Sequence, residues 1–247
     1  MISDLLSGIK YFFQGFKLVT RPELRRFVIA PLIINIIVFT GAIIVAVNQF
    51  NDLLAWLLPQ GPGWWAELVQ TVLWVFFAAI VLLILFFSFT ILANLLGAPF
   101  NGLLSEKVEG YLSGETLNDS GGFRGFISTI LPSIKSELRK ILYFLITALL
   151  ILLTMLIPGV QVIAPFLWAL FTSWMLALEY TAYPMENHKI YFSQVRSHLK
   201  KHKLLAFGFG TAVMIASSIP VVNFIVVPAA VAGATAMWVN RLKTGIN

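Results

Sequence analysis

Residues 27–47 read FVIAPLIINIIVFTGAIIVAV, and residues 68–97 read LVQTVLWVFFAAIVLLILFFSFTILANLLG. Neither stretch contains a charge, and each is long enough to cross a hydrocarbon core of about 30 Å as a helix. At 1.5 Å per residue the second would extend about 45 Å, so it should tilt or project beyond that core. These two runs make the chain an all-α integral membrane protein. Working outward, the rest of the composition agrees. Of 247 residues, 59% are hydrophobic and 11% charged, whereas a soluble domain carries about 25% charged residues. No polar linker divides the chain, so it is expected to be one membrane domain over 1–247.

Four further segments flank the two spans. Residues 5–17 place Leu5, Ile9, Phe12, Phe13 and Phe16 at helical spacing. That is an amphipathic helix, lying on the membrane or packed against the protein, and it leads into a loop within 1–26. It is no signal peptide, because Asp4, Lys10 and Lys17 interrupt it. Pro31 is expected near the start of the first span, where a missing N–H costs little. Residues 48–67 should form a polar loop at the interface, bracketed by Trp56, Trp64 and Trp65. Residues 98–140 form a charged helical region with a loop signal at Asn118–Gly122. Two apolar hairpins follow, 141–178 turning at Pro158-Gly159 and 204–239 turning at Pro220. Each arm is at or below the usual spanning minimum, which favours hairpins that enter the membrane and return. Both begin with a basic stretch, SELRK or SHLKK, and end near a tryptophan, which is a weak internal repeat.

The net charge is +6, and the basic residues lie in short segments beside apolar runs. That pattern argues for cytoplasmic loops and against nucleic acid. No Lys or Arg occurs between Arg26 and Lys107. One span out and one back put every basic segment, and both termini, on the cytoplasmic side. Asp52 and Glu67 would face outward.

The charged residues suggest few chemistries. In Thr20-Arg21-Pro22-Glu23-Leu24-Arg25-Arg26, proline marks a helix start. The amides of Glu23, Leu24 and Arg25 should then lack intrahelical partners, and with Arg25 and Arg26 they could bind an oxyanion. Arginines at the mouth of a span also serve as topology anchors on lipid headgroups. Glu106, Lys107 and Glu109 are either a gate of paired charges or a solvated helix face. His188 with Glu186 could relay protons. His198 and His202 sit at i, i+4 among lysines with no carboxylate partner, which suits a basic surface helix better than a metal site. Cysteine is absent, and no P-loop, HExxH or nucleophile elbow occurs. An enzyme is therefore not expected, and neither is a metal or a cofactor.

Several long motifs resemble the CysZ family of bacterial inner-membrane sulfate permeases, which supply sulfate for cysteine synthesis. They are YFFQGFKLVTRPELRRFVIAPL at 11–32, LLGAPFNGLLSEKVEGYLSG at 95–114, IPGVQVIAPFLWALFTSWMLALEYTAYPMENHK at 157–189, and GATAMW at 233–238. The resemblance implies two long transmembrane helices with two hemi-penetrating hairpins, and a homo-oligomer built from dimers. It also implies sulfate binding at the family segment L-[TS]-x-P-G-[LI]-R-R. By position, the backbone contacts fall at Glu23 and Leu24 and the arginine contacts at Arg25 and Arg26. Glu23 departs from the pattern, which often has glycine there. Expected partners are sulfate, membrane lipids and further copies of the chain. Glu106, Glu109 and His188 are the candidates for gating or proton coupling. A non-transporting membrane scaffold is the alternative. A one-sided basic pattern also places the sulfate segment on the cytoplasmic face. Sulfate must then reach it through a central path, or some protomers insert the other way up.

Overall fold

The computed structural model describes residues 2–57, 63–114 and 122–245. Eight α-helices follow one another among them: α1 Ile2–Val19, α2 Pro22–Leu57, α3 Trp64–Ser113, α4 Gly122–Thr154, α5 Ala164–Asn187, α6 Phe192–Lys201, α7 Lys203–Ser217 and α8 Pro220–Met237. A 3₁₀ turn, Val160–Val162, precedes α5, and a π turn, Trp238–Leu242, follows α8. Among the described residues no strand occurs. Among the described residues, three segments are long and apolar enough to cross a membrane: Pro22–Trp56, Glu67–Leu85 and Ile225–Leu242.

The helices run further than the hydropathy predicts. The α2 helix starts at Pro22 and ends at Leu57, so residues 48–57 are not loop. Phe50, Leu53, Leu54 and Leu57 continue the helical period there. Pro31 consequently lies inside α2 and not at its start, where its ring removes one ladder hydrogen bond. The α3 helix is 50 residues long, about 75 Å, and carries the second span straight into the charged region. The α4 helix likewise joins that region to the first arm of the first hairpin. The turn sits at Pro158-Gly159 as expected, with Gly159 at φ 87°, a conformation glycine adopts without steric cost. The α5 helix continues to Asn187 with Pro184 inside it, so Tyr183–Asn187 is helical. The NDSGG loop signal falls largely on residues outside the described ones.

Two compact units make up the chain, Met1–Arg26 with Asn101–Asn247, and Phe27–Phe100. Within the second, the apolar side chains of α2 and α3 are largely exposed, Ile36, Ile37, Leu82 and Ile84 among them. The rings of Phe50 and Phe77 stack at 4.0 Å, and Trp74 meets Phe50 edge-on at 4.9 Å.

The first unit has the buried core. The α8 helix is rich in small residues, and Ala229, Ala230, Val231, Ala232, Ala234 and Ala236 are fully buried. The α1 helix packs against α7 and α8. Two glycine crossings bring the backbones together. A side chain at Gly8 would strike the Leu205 carbonyl, and one at Gly208 the Leu5 carbonyl. A side chain at Gly15 would strike the Ala229 carbonyl, and one at Gly233 would come within 2.6 Å of the Tyr11 carbonyl. Close backbone approach of this kind is how helices gain dispersion contacts where water offers no driving force. Phe12 fills the crossing, edge-on to Phe16 at 5.1 Å and Phe209 at 6.3 Å.

Candidate functional site

Three groups of polar residues lie in the first unit. The first is the junction between α1 and α2. The Arg21 N–H donates to the Leu18 carbonyl (3.0 Å), and the Arg21 carbonyl accepts from Leu24 N–H (3.0 Å) and Arg25 N–H (2.9 Å). The expectation of three open amides is thus corrected. The first turn tightens, Leu24 and Arg25 spend their donors on Arg21, and the Glu23 N–H has no partner among the described residues at the dipole's positive end. Leu24 is a buried anchor, 1% exposed. Glu23, Arg25 and Arg26 are exposed.

The second group runs along one face of α3. Asn101, Ser105 and Glu109 recur at i, i+4 and i+8, so they line a single stripe. Asn101 Nδ2 donates to the Tyr183 hydroxyl (3.4 Å). The hydroxyls of Ser105 and Thr235 bond at 2.9 Å in a fully buried setting. Glu109 is 0% exposed, and its Oε1 lies 2.8 Å from His188 Nε2 and 3.1 Å from Lys243 Nζ. A buried carboxylate needs such partners, because desolvating it alone is costly. His188 caps the end of α5, where the chain turns through Lys189 at φ 62°. Lys243 follows directly on the wider π turn that ends α8, Trp238–Leu242. That turn is pinned by buried His198, whose Nε2 donates to the Leu242 carbonyl at 2.9 Å.

Glu109 and His188 are therefore brought together, and Glu106 is not. Its Oε1 pairs with neighbouring Lys107 at 3.3 Å. The Glu186–His188 pairing is corrected too, because the partner of His188 is Glu109 from a distant helix. His198 belongs to the core and not to a basic surface. No group of three or more metal-ligating side chains occurs among the described residues.

The third group was not anticipated. Lys140, from α4, is buried and pairs with Glu137 at 2.8 Å and Glu179 at 2.7 Å. Burial works to lower its pKa, but the two carboxylates outweigh it and hold the ammonium above its ordinary value. About two helical turns along α5 from Glu179, the Glu186 carboxyl is pushed up to about 7. Burial is the main cause, and Lys140 opposes it while Glu137 and Glu179 reinforce it. The signals for these groups were present in the sequence. Glu179 is the first charge after a long apolar run, and NGLLSEKVE has polar residues at helical spacing.

The arrangement offers an exposed helix start beside two arginines, and a buried carboxylate held by His188 and Lys243. The family described as "Sulfate transporter CysZ/Etoposide-induced protein 2.4" matches residues 11–228. A protein of Pectobacterium atrosepticum named sulfate transporter CysZ is 41% identical over 239 residues, covering 96% of this chain and 86% of its own length. Namesakes from Pseudomonas aeruginosa and Vibrio cholerae are each 42% identical, with 96% of this chain covered and 96% and 95% of theirs. A match of that length and identity places this chain in the sulfate transporter CysZ/etoposide-induced protein 2.4 family.

Proposed function

We propose that the protein is a sulfate permease that admits sulfate across the bacterial inner membrane for assimilation into cysteine. The observation that carries this is the start of α2 at Pro22, with Glu23 N–H open and Arg25 and Arg26 exposed, in a chain whose relatives are named sulfate transporters. Sulfate oxygens accept from the Glu23 amide and from both guanidinium groups, whose forked donors suit a tetrahedral oxyanion. Leu24 holds the turn in place by its buried side chain. The Glu23 carboxylate is exposed and turns to water.

The whole chain acts as one membrane domain. Helices α2 and α3 cross the bilayer with both termini cytoplasmic. The hairpins α4–α5 and α7–α8 penetrate part-way. Two observations support that depth. The α7 helix has 15 residues, about 22 Å, which is short of a core of about 30 Å. The uncharged part of α4 beyond Lys140 is similarly short. Copies associate as homo-oligomers built from dimers.

Sulfate entry opposes the membrane potential. Two negative charges moved inward against about 100 mV cost about 4.6 kcal/mol, a concentration factor of over about a thousand. Passive entry needs steep consumption inside, and proton coupling lightens the load. Glu109 with His188 is the pair that serves as gate or coupling site, and Glu106 stands outside it.

The test is uptake of radiolabelled sulfate into proteoliposomes, with selenate, phosphate and chloride as competitors. Saturable uptake above protein-free vesicles is expected. The double substitution Arg25→Ala/Arg26→Ala should weaken sulfate binding about tenfold or more, since each charge-assisted bond contributes about 1.5–3 kcal/mol. Unchanged binding in correctly inserted protein would sink the site. Absence of uptake by the unmodified chain would favour a non-transporting scaffold.

A further inference from the structure

A cavity of about 250 Å³ opens between α4 and the first turn of α6, walled by Lys135, Ser136, Arg139, Phe192, Ser193 and Gln194. Lys135 and Arg139 are four apart on α4, so both project over the same face. The amides at the head of α6 are almost all spent. Phe192 N–H donates to Ser136 Oγ (2.9 Å), and Gln194 and Val195 donate to the Tyr191 carbonyl (2.8 and 3.0 Å). The Ser193 N–H alone has no partner among the described residues, and it stands at the positive end of the α6 dipole beside the two cations. Aromatic rings pack beside the cavity. Phe192 lies 5.6 Å from Tyr143, and the Arg196 guanidinium caps the Tyr143 ring at 4.8 Å.

Negative charge is turned aside. Glu137 is engaged by Lys140 at 2.8 Å. Glu186 faces the Ser136 hydroxyl from behind the wall. What remains at the mouth is two cations and an open amide, the Ser136 hydroxyl being spent on Phe192 N–H and Glu186.

The neighbouring surface is apolar. Leu138 and Leu142 share the face of Lys135 and Arg139, at 62% and 58% exposure, and Leu145 and Leu149 extend the row along the membrane arm of α4. A cationic pocket one turn from a lipid-exposed leucine row matches a molecule with a phosphate head and acyl tails. The volume suits a headgroup and not a larger organic ligand.

We infer that Lys135, Arg139 and the Ser193 amide form a binding site for a phosphoryl oxyanion, the headgroup phosphate of an acidic phospholipid, with its acyl chains lying along Leu138 and Leu142. The site is separate from the α2 junction and owes nothing to Arg25 or Arg26. Occupied, it ties α4 to α6 at the membrane surface.

Native mass spectrometry of the full-length chain in mild detergent tests it, with titrated phosphatidylglycerol, phosphatidylcholine and, in a separate arm, inorganic phosphate. The Lys135→Gln/Arg139→Gln variant should retain phosphatidylglycerol about tenfold less well than the unmodified chain. Each single substitution should lie between. The Lys200→Gln/Lys201→Gln variant removes the same charge from the exposed far end of α6, and should not change retention. Loss of phosphatidylglycerol in the first double variant alone assigns the lipid as ligand. Loss of inorganic phosphate alone keeps the oxyanion site and assigns free phosphate as its source. Equal retention of both ligands in the two double variants overturns the inference, as does an equal loss in both. All arms keep Arg25 and Arg26, so sulfate uptake can fail without touching this result.

Discussion

Glu109 is the buried carboxylate that joins His188 and Lys243 in the first unit. It is wholly buried, whereas the side chains of His188 and Lys243 are 25% and 40% exposed. That asymmetry makes a prediction. In Glu109→Gln the two former partners regain water, and the cost should be about 1.5–3 kcal/mol, the scale of a lost hydrogen bond to a charged group. In His188→Ala/Lys243→Ala the carboxylate stays buried with no counter-charge, and the cost should reach about 3–5 kcal/mol. Thermal unfolding in detergent reads both, and equal midpoints for the two variants would contradict the burial argument. Glu186 makes a second prediction. Its pKa rises from 4.5 to about 7 on folding, so the folded state holds the proton more tightly than the unfolded. Its contribution to stability is full below about pH 4.5 and is lost as pH rises through about 7. Glu186→Gln should flatten the stability profile across that window and leave the protein more stable than the unmodified chain above it. A profile that keeps its slope would refute the assignment.

At the scale of elements, α1 and α3 each do a job that their hydropathy hides. The glycines of α1 let its backbone touch α7 and α8, so Gly15→Ala should destabilise by about 1–3 kcal/mol, the range for overpacking. Gly41, in the middle of α2, has nothing within 4 Å of an added methyl. Gly41→Ala should therefore be neutral, or stabilise by about 0.5–1 kcal/mol through helix propensity. Unfolding midpoints of the two variants provide the comparison, and similar losses would mean that the crossing is looser than its geometry. The α3 stripe of Asn101, Ser105 and Glu109 was legible as a spacing. Its partners were not, because Tyr183, Thr235, His188 and Lys243 come from helices far along the chain.

At the scale of the molecule, the proposed activity moves a dianion against an opposing potential. Accumulation of sulfate in vesicles should fall when a valinomycin-set potential makes the interior negative, by up to about a thousandfold at equilibrium near 100 mV. An outside-acid pH gradient should relieve that fall in the unmodified chain and fail to relieve it in Glu109→Gln. Relief that survives the substitution would remove Glu109 from the coupling path.

The membrane class, the helix start at Pro22 and the turn at Pro158-Gly159 were determined by the sequence alone, because each rests on local chemistry. Uncharged length demands a bilayer, proline lacks an N–H, and glycine alone tolerates positive φ cheaply. Helix ends were read too short, since hydropathy marks where charge begins and not where hydrogen bonding stops. That is why α2, α3, α4 and α5 outrun their apolar runs. Only the tertiary structure decided that α1 packs inward, that His188 pairs with Glu109 and not with Glu186, and that Lys140 sits between two carboxylates. Ion pairs form across sequence separations that no local period encodes, and burial forces a charge to find whichever opposite charge the packing brings within reach.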